Sequence, residues 1–299
     1  VSNAWLFTPA VKLDKDAVYN VAYKANISVY SKTVTNKIYA GLSPEPEKQD
    51  ILLGNMPTGT KSAYQVKTTK LVTTDAGKYY VGFNSILSHK SDYVTINLDS
   101  VAVTYLKSAK SPYVITNYKS LADVTGAFKA TLSFNAPAVD YQGNPITELS
   151  KVDIYRGEST IPVKTFSAPA PGAALSWEDD QPIHGINHYL IVATNSEGRG
   201  EAYLDTLYVG RDVPTSVNDF ELKASEDNAD GILTWKAPTG KNGGVIVPSE
   251  LSYNVYQYDA KNNTFEVVGS NLKDCTYTVK HSTDTQQAVY YYGVAPVNT

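Results

Sequence analysis

The chain nearly repeats itself once, with a period of about 100 residues. Matching segments lie 101 or 102 positions apart: Phe-Asn-Ala-Pro at 134–137 returns as Trp-Lys-Ala-Pro at 235–238, Ile-Tyr at 154–155 as Val-Tyr at 255–256, and Tyr-Leu-Ile-Val-Ala at 189–193 as Tyr-Tyr-Gly-Val-Ala at 291–295. Solenoid repeats run roughly 20–50 residues, so this period has the size of a small domain instead. We therefore expect two copies of one β-rich module behind a different N-terminal unit. Tandem modules of this kind more often hold, space or bind than catalyse.

Composition and charge argue against several classes of protein. The 299 residues carry a net charge of −4, which gives no reason to expect nucleic-acid binding. A single cysteine, Cys275, allows no intrachain disulfide. No apolar run approaches about 18 residues, so we expect no membrane insertion. No signal peptide is visible. The chain opens at Val1 in what reads as a strand, and we expect that upstream sequence was removed.

Alternating apolar and polar residues predict strands along most of the chain. The clearest runs are 19–23, 79–83 and 94–103, and clusters of Gly, Pro and Asp separate them as turns. The best helical candidate, residues 119–125, is short. Short strands at this spacing indicate sandwiches or barrels, so we expect an all-β fold.

Polar stretches divide the chain into three predicted domains, residues 1–108, 109–212 and 213–299. The predicted linkers are 106–112 and 211–214, the second stiffened by Pro214. The third domain stops just after its 291–295 strand, before any counterpart of 201–209. We therefore expect it to be C-terminally truncated and to lack one strand.

Both repeats resemble fibronectin type III domains. The resemblance is carried by Leu-Ser-Phe-x-Ala-Pro at 132–137 and Leu-Thr-Trp-x-Ala-Pro at 233–238, by Tyr-Arg at 155–156 and Tyr-Gln at 256–257, and by Tyr-x-x-x-Ala-x-Asn at 189–195. It implies two Ig-like β-sandwiches, with Phe134 and Trp235 filling the space between sheets. The tyrosine before the penultimate strand's apolar run, Tyr189 or Tyr291, is expected to hydrogen-bond across a corner. The second repeat is also similar to modules of secreted Bacteroidetes surface proteins, through Gly-x-Pro-Ile-Thr-x-Leu at 143–149 and Gly-x-Asn-x-Tyr at 185–189.

The first unit is similar to jelly-roll domains of the cleaved-adhesin or choice-of-anchor type, through residues 3–13, 19–23, 77–83 and 93–101. In that family further strands precede the Trp-Leu-x-Thr-Pro phrase at 5–9, so N-terminal strands are expected to be missing here. The resemblance implies adhesion or carbohydrate binding and, in many members, a structural calcium. It makes Asp99 the one metal ligand that we name; the alternative is an exposed Asp at a short turn.

Other polar clusters favour structural interpretations. His184 and His188 have the spacing of a helical zinc pair, but on a strand they would lie about 13 Å apart. The acids at 178–180 are interpreted as a solvated turn, and the Gly-rich 240–244 as a flexible loop, since no Lys-Ser/Thr follows it. Cys275 is expected to be half-buried and inert.

We see no catalytic triad, acid pair or metal set, and predict that the chain is not an enzyme. The favoured function is a non-catalytic, multi-module protein, secreted or on a bacterial cell surface, whose jelly roll binds a glycan or a host extracellular-matrix protein while the fibronectin modules act as spacers. Two alternatives stay open: ancillary C-terminal modules of a larger secreted peptidase or glycosidase, and a purely structural array. Candidate sugar-stacking rings, which could equally cover cores and edges, are Tyr23, Tyr30, Tyr39, Tyr64 and Tyr80.

Overall fold

The computed structural model describes residues 2–29, 34–56, 63–89, 93–226, 230–280 and 289–298. Within these ranges the regular structure consists of strands and two single-turn 3-10 helices, Pro46–Lys48 and Pro248–Glu250. The strands form three successive pairs of facing sheets, each pair around its own hydrophobic core. The prediction of an all-β fold made of sandwiches is confirmed.

The first sandwich is jelly-roll-like and has eight described strands. Their bounds are β1 Ser2–Phe7, β2 Val11–Leu13, β3 Ala17–Val29, β4 Val34–Gly41, β5 Ile51–Asn55, β6 Gln65–Thr73, β7 Gly77–Leu87 and β8 Val94–Ser108. One sheet has the order β1-β7-β4-β5, with β2 also paired to β7, and it faces a sheet of order β6-β3-β8. Because side chains alternate along a strand, every second residue of β3 enters the core, and Tyr19, Val21 and Tyr23 are 5 % exposed or less.

The second sandwich has a three-stranded sheet facing a four-stranded one. Its strands are β9 Thr116–Ala122, β10 Ala130–Asn135, β11 Lys151–Arg156, β12 Lys164–Ser167, β13 Ala174–Asp179, β14 Gly185–Asn195 and β15 Gly198–Val209. The sheet orders are β13-β10-β9 and β12-β11-β14-β15, an Ig-like arrangement of the fibronectin type III kind. Phe134 is 2 % exposed and meets Phe166 edge-on, so it fills the inter-sheet space as predicted.

The third sandwich has counterparts of the first six strands of the second. Its strands are β16 Asn218–Ala224, β17 Asp230–Lys236, β18 Leu251–Asp259, β19 Thr264–Leu272, β20 Thr276–Lys280 and β21 Tyr292–Asn298. The sheets are β16-β17-β20 and β19-β18-β21. Trp235 is 5 % exposed and packs against Tyr253, with ring centroids 5.3 Å apart. Among the described residues no strand takes the place that β15 has in the second sandwich.

Two local predictions need correction. The short helical candidate at 119–125 lies largely on strand β9, which pairs with β10. The predicted linker at 106–112 begins too early, because β8 continues to Ser108 and pairs Lys107 with Val18. Ala109 and Ser111 are fully buried, so this connection is packed rather than solvated. Polar composition alone does not distinguish an edge strand from a linker or a helix, since edge strands carry polar residues on their outer face.

Candidate binding surfaces of the first sandwich

The first sandwich is open along one side, between strands β1 and β2 of one sheet and β8 of the other. We call this opening the seam. A cleft of about 430 Å³ occupies the part of the seam next to β2. The cleft is lined by Thr8, Pro9, Val11, Leu98, Asp99, Ser100, Val101 and Val103. A second cleft of about 200 Å³ continues it along β8, lined by Ala4, Trp5, Leu6, Phe83, Ser85, Val94 and Ile96. The two clefts therefore follow β8 and are lined mainly by aliphatic side chains.

The apolar residues of β8 alternate along this seam and are only partly covered. Val94, Ile96 and Leu98, and after a register shift Val101 and Val103, pack against the core while remaining partly exposed. In the described part of the chain β8 pairs on one side only, with β3. Its other edge therefore presents main-chain N–H and C=O groups next to the clefts.

A third cleft, of about 310 Å³, lies between β5 and β6 and is more polar. Its lining is Tyr23, Ile38, Leu53, Gly54, Asn55, Lys67, Thr68 and Thr69. The Thr69 hydroxyl donates to the Leu53 carbonyl at 2.6 Å and holds the two strands together at the cleft. Hydroxyl, amide and ammonium groups around a small cavity are suited to a hydroxylated ligand.

Asp99 lies at the rim of the larger seam cleft and forms an ion pair with Lys24, with Nζ and Oδ2 2.6 Å apart. The hydrogen bond and charge of Asp99 raise the pKa of Lys24. Among the described residues no group of three or more His, Cys, Asp or Glu side chains is arranged to hold a metal ion. Calcium takes about six to eight oxygen ligands, so Asp99 needs further ligands for its predicted role, which stays a prediction.

The candidate sugar-stacking tyrosines do not form one platform. Tyr23 is buried, Tyr39 and Tyr80 are half-buried, and Tyr64 is 47 % exposed beside the Lys24 ammonium. Tyr30 lies outside the described residues. Tyr93 and Tyr105 are more exposed than Tyr64, and the sequence pattern did not single them out because exposed and buried tyrosines look alike on an alternating strand.

The acidic run at 178–180 is not the solvated turn that we expected. Asp179 ends β13 and is 2 % exposed. Its carboxylate accepts hydrogen bonds from Arg156 at 2.5 and 2.7 Å and from the Tyr189 hydroxyl at 2.8 Å. Burial, together with the neighbouring carboxylate, raises the pKa of Tyr189. The predicted corner tyrosine of the second sandwich thus finds its partner, and that partner is a carboxylate.

Each of the two histidines has its own hydrogen-bond partner. His184 Nε2 lies 2.9 Å from the Arg211 carbonyl oxygen, and His188 Nδ1 lies 3.0 Å from the Thr206 hydroxyl. Cys275 is half-buried, as predicted, with its sulfur 3.4 Å from the Tyr253 hydroxyl. His184 thus lies against the connection to the third sandwich, His188 lies on the exposed face of the β14–β15 pair, and Cys275 packs at the edge of the third core.

A charged joint fixes the first sandwich to the second. Lys70 pairs with Glu201 at 2.5 Å, and Lys107 Nζ donates to the Gly200 carbonyl at 2.7 Å. Both ammonium groups lie over the Tyr141 ring, whose hydroxyl donates to Glu201. Burial opposes ionisation of Glu201, but the bonds from Lys70 and Tyr141 outweigh it and hold its pKa below the usual value. A Cβ at Gly200 would clash with the Pro112 carbonyl, so the close approach requires glycine.

Further contacts complete this joint from a second direction. The Gln142 amide donates to Asp16 and to the Thr73 carbonyl, both at 3.0 Å, and Lys110 pairs with Asp16 at 3.1 Å. The hydrogen bonds from Gln142 and Lys110 lower the pKa of Asp16. These contacts lie on both sides of the connection and hold the first sandwich against the second.

The joint between the second and third sandwiches is organised by one buried carboxylate. Asp212 is 4 % exposed and accepts from the main-chain N–H of Asn242 at 2.6 Å and of Gly244 at 3.1 Å. Beside it, Arg211 pairs with Glu250 at 2.6 Å. The Gly-rich loop that we expected to be flexible is therefore bonded to the inter-sandwich connection.

Comparisons with known proteins identify no family for this chain. No protein-family model matches it, and no curated protein sequence matches it. Among solved structures, the FN1–FN3 domains of chicken CNTN1 are 16 % identical, with 97 % of this chain and 92 % of that chain covered and a TM-score of 0.29. The adhesin domain of Epf from Streptococcus pyogenes is 12 % identical over 70 % of this chain and 72 % of that chain, with a TM-score of 0.25.

Chicken interferon gamma receptor alpha chain is also similar, at 13 % identity over 64 % of this chain and 91 % of that chain, with a TM-score of 0.28. Scores of this size carry no argument about function. No helix in the described ranges is both long and apolar enough to cross a membrane.

Proposed function

We propose that the chain is a non-catalytic module array of a secreted or bacterial cell-surface protein. Its three sandwiches correspond to domains at residues 1–108, 109–212 and 213–299. The first sandwich binds a glycan or an extracellular-matrix protein, and the second and third space it from whatever they are attached to. The resemblance of the second module to Bacteroidetes surface proteins supports this setting.

The observation that carries the proposal is the pairing of an open sandwich with a fixed joint. The first sandwich has three clefts along its sides, whereas Lys70, Lys107 and Asp16 hold it firmly on the second. A fixed orientation keeps a binding surface presented at a set distance and costs less ordering when a ligand arrives. This is the arrangement that an adhesive or scaffolding array needs.

A binding panel tests the proposal. The full chain should bind at least one member of a panel of glycans and purified matrix proteins, while residues 109–299 should bind none. The same full chain should hydrolyse neither glycosides nor peptides. Binding by residues 109–299 alone, or turnover that one substitution in this chain abolishes, would contradict the proposal.

Calcium provides a separate prediction for Asp99. If Asp99 is a calcium ligand, the first sandwich should melt at a higher temperature with calcium than with chelator, because a ligand that binds only the folded state stabilises it. Asp99→Ala should remove that difference, whereas Asp75→Ala, a substitution at an exposed acid on another turn, should preserve it. An unchanged melt with calcium would end the metal hypothesis and leave Asp99 as the partner of Lys24.

A further inference from the structure

The polar cleft lies on the side of the first sandwich away from the seam, where edge strand β5 of one sheet meets edge strand β6 of the other. The Thr69 hydroxyl donates to the Leu53 carbonyl at 2.6 Å and joins these two edges. Beside this bond β5 is irregular, because its register with β4 shifts between Ile38 and Tyr39 and Gly54 has a φ of +144°, which favours glycine. The cavity of about 310 Å³ therefore lies between strands that are already joined to each other.

The cleft contains a buried tyrosine hydroxyl, that of Tyr23. Tyr23 is 5 % exposed and lines the cleft, and its hydroxyl makes no hydrogen bond to any described residue, although the oxygen still reaches solvent. The hydroxyls of Tyr19 and Tyr79, the other buried tyrosines in the described part of this sandwich, are both hydrogen-bonded. Burial raises the pKa of Tyr23, so its hydroxyl stays neutral and can both donate and accept. Since buried polar groups are normally hydrogen-bonded, a molecule bound in the cleft would supply the missing partner.

The one charged side chain in the described lining of the cleft is Lys67. It lies directly opposite Tyr23 in the pairing of β3 with β6, so the two side chains share the face that is turned toward the other sheet. Its ammonium group forms no ion pair within the described part of the chain, and the described lining includes no Asp or Glu. An inward-facing lysine on an edge strand also discourages pairing with other chains. An anion site differs from that role because the affinity for a ligand then depends on Lys67.

The rest of the lining selects the class of ligand. Ile38 and Leu53 provide apolar surface, whereas Asn55 and Thr68 are exposed and offer an amide and a hydroxyl. This mixture suits a sugar ring, whose C–H faces are apolar and whose hydroxyls both donate and accept. The volume of about 310 Å³ is at the lower end of the range of about 300–1,000 Å³ for small-molecule pockets, so it suits a single sugar residue. The unpaired ammonium group adds a preference for a sugar with a carboxylate.

We propose that the cleft between β5 and β6 binds a terminal sugar residue that carries a carboxylate. Lys67 pairs with the carboxylate, and the Tyr23 hydroxyl and the Asn55 amide bond to the hydroxyls of the ring. This inference rests on the proposed function and selects a glycan as the ligand of the first sandwich. Uronic acids and sialic acids share this chemistry, and the experiment separates them.

The test measures binding of small ligands to the full chain by isothermal titration and saturation-transfer NMR. The methyl glycosides of glucuronic acid and of N-acetylneuraminic acid carry the carboxylate, methyl glucoside has the glucuronide ring without it, and acetate has the carboxylate without a ring. At least one acidic glycoside should bind saturably in the millimolar range, at least about tenfold more tightly than methyl glucoside or acetate. The acidic glycoside that binds identifies the class of sugar. Equal binding of methyl glucoside or of acetate, or no binding of either acidic glycoside, overturns the proposal.

Three variants locate the site. Lys67→Gln removes the charge at an exposed position and should weaken binding of the acidic glycoside at least about tenfold. The matched control is Lys12→Gln, at an exposed lysine of β2 on the seam side, and it should change the affinity less than about twofold. Tyr23→Phe breaks no hydrogen bond among the described residues, so the sandwich should fold as before and bind about three- to tenfold more weakly. Equal affinity in Lys67→Gln and Lys12→Gln contradicts the proposal and leaves Lys67 with its edge-strand role alone.

Three outcomes separate this inference from the function on which it rests. If an acidic glycoside binds and Lys67→Gln weakens that binding, both stand. If a matrix protein or another glycan slows exchange within residues 2–108 while neither acidic glycoside binds, the proposed function stands and the cleft inference falls. If no panel member and neither acidic glycoside binds the full chain, both fall.

Discussion

The second and third sandwiches share a sequence pattern but differ in how well their cores are covered. In the second, strand β14 lies between β11 and β15, and Tyr189, Ile191 and Val192 are fully buried. In the third, β21 pairs only with β18 among the described residues, and its seven residues are all partly exposed. The repeat therefore determines which segments become strands, whereas burial depends on the neighbour that each strand acquires.

The two sandwiches also brace the same loop by different means. In the second, Asp140 lies within the loop and accepts from the N–H groups of Gln142 and Asn144 at 2.8 and 2.9 Å. In the third, Gly240 occupies the counterpart position, and the carboxylate comes from Asp212 on the connection. Both loops contribute to inter-sandwich joints, since Gln142 of the second also bonds to the first sandwich, but only the third loop takes its bracing carboxylate from the connection.

The largest expected effect is at the shared core aromatic. Phe134→Ala and Trp235→Ala should each lower the free energy of unfolding of their own sandwich by about 3–5 kcal/mol, because each removes a large buried ring. Chemical denaturation followed by site-specific probes in each sandwich measures this. A loss under about 1 kcal/mol at either position would mean that the ring is not a core residue and that the repeat alignment is wrong.

A smaller difference should separate the paired tyrosines. Tyr189→Phe removes a hydrogen bond to the buried carboxylate of Asp179 and should cost about 1.5–3 kcal/mol. The repeat aligns Tyr189 with Tyr291, but the strand register places Tyr292 opposite Gln257 as Tyr189 lies opposite Arg156, so the prediction of a corner tyrosine at Tyr291 is wrong by one residue. Tyr291 takes the outward position of His188 and is 62 % exposed, and Tyr291→Phe should stay within about 0.5 kcal/mol. Equal losses at Tyr189 and Tyr291 would contradict this outward position.

The loop carboxylates provide a third contrast. Asp212→Ala leaves two loop amides without their acceptor and should speed exchange at 240–245 and destabilise the third sandwich by about 1–2 kcal/mol. It should also change the scattering profile of the full chain, since the carboxylate belongs to the joint. Asp140→Ala should speed exchange within 140–146, the loop that contacts the first sandwich, and leave exchange at 240–245 unchanged. Faster exchange at 240–245 in Asp140→Ala would contradict the separate roles of the two carboxylates.

The smallest expected effect is on the stability of the second sandwich at acidic pH. Burial alone would raise the pKa of Asp153, but bonds from Lys151 and Thr165 outweigh it and hold the pKa below the usual value. A carboxyl with a depressed folded-state pKa stabilises above its unfolded value near 4, and that contribution fades as pH falls through the folded value. Asp153→Asn should therefore flatten the pH dependence of the second sandwich's unfolding by on the order of 1 kcal/mol between pH 6 and 2. An unchanged pH dependence of unfolding in Asp153→Asn would mean that this carboxyl does not contribute to it.

Much of the architecture could be predicted because it is encoded locally. The alternation of apolar and polar residues predicts the strands, and the repeat identifies Phe134 and Trp235 as equivalent core positions. The burial of Asp179 could not be predicted, since it depends on Arg156 and Tyr189 from other strands. The contact between Lys70 and Glu201 joins residues 131 positions apart and leaves no local pattern. The open seam likewise depends on which strands lie beside β8, and the alternation of residues along β8 gives no information about its neighbours.

Ligand binding should belong to the first sandwich alone. Hydrogen exchange on the full chain, with and without whichever panel member binds, measures this. Exchange should slow within residues 2–108 and stay unchanged across 109–298, apart from the joint residues that face the first sandwich. Protection centred on the second or third sandwich, with residues 2–108 unaffected, would contradict it.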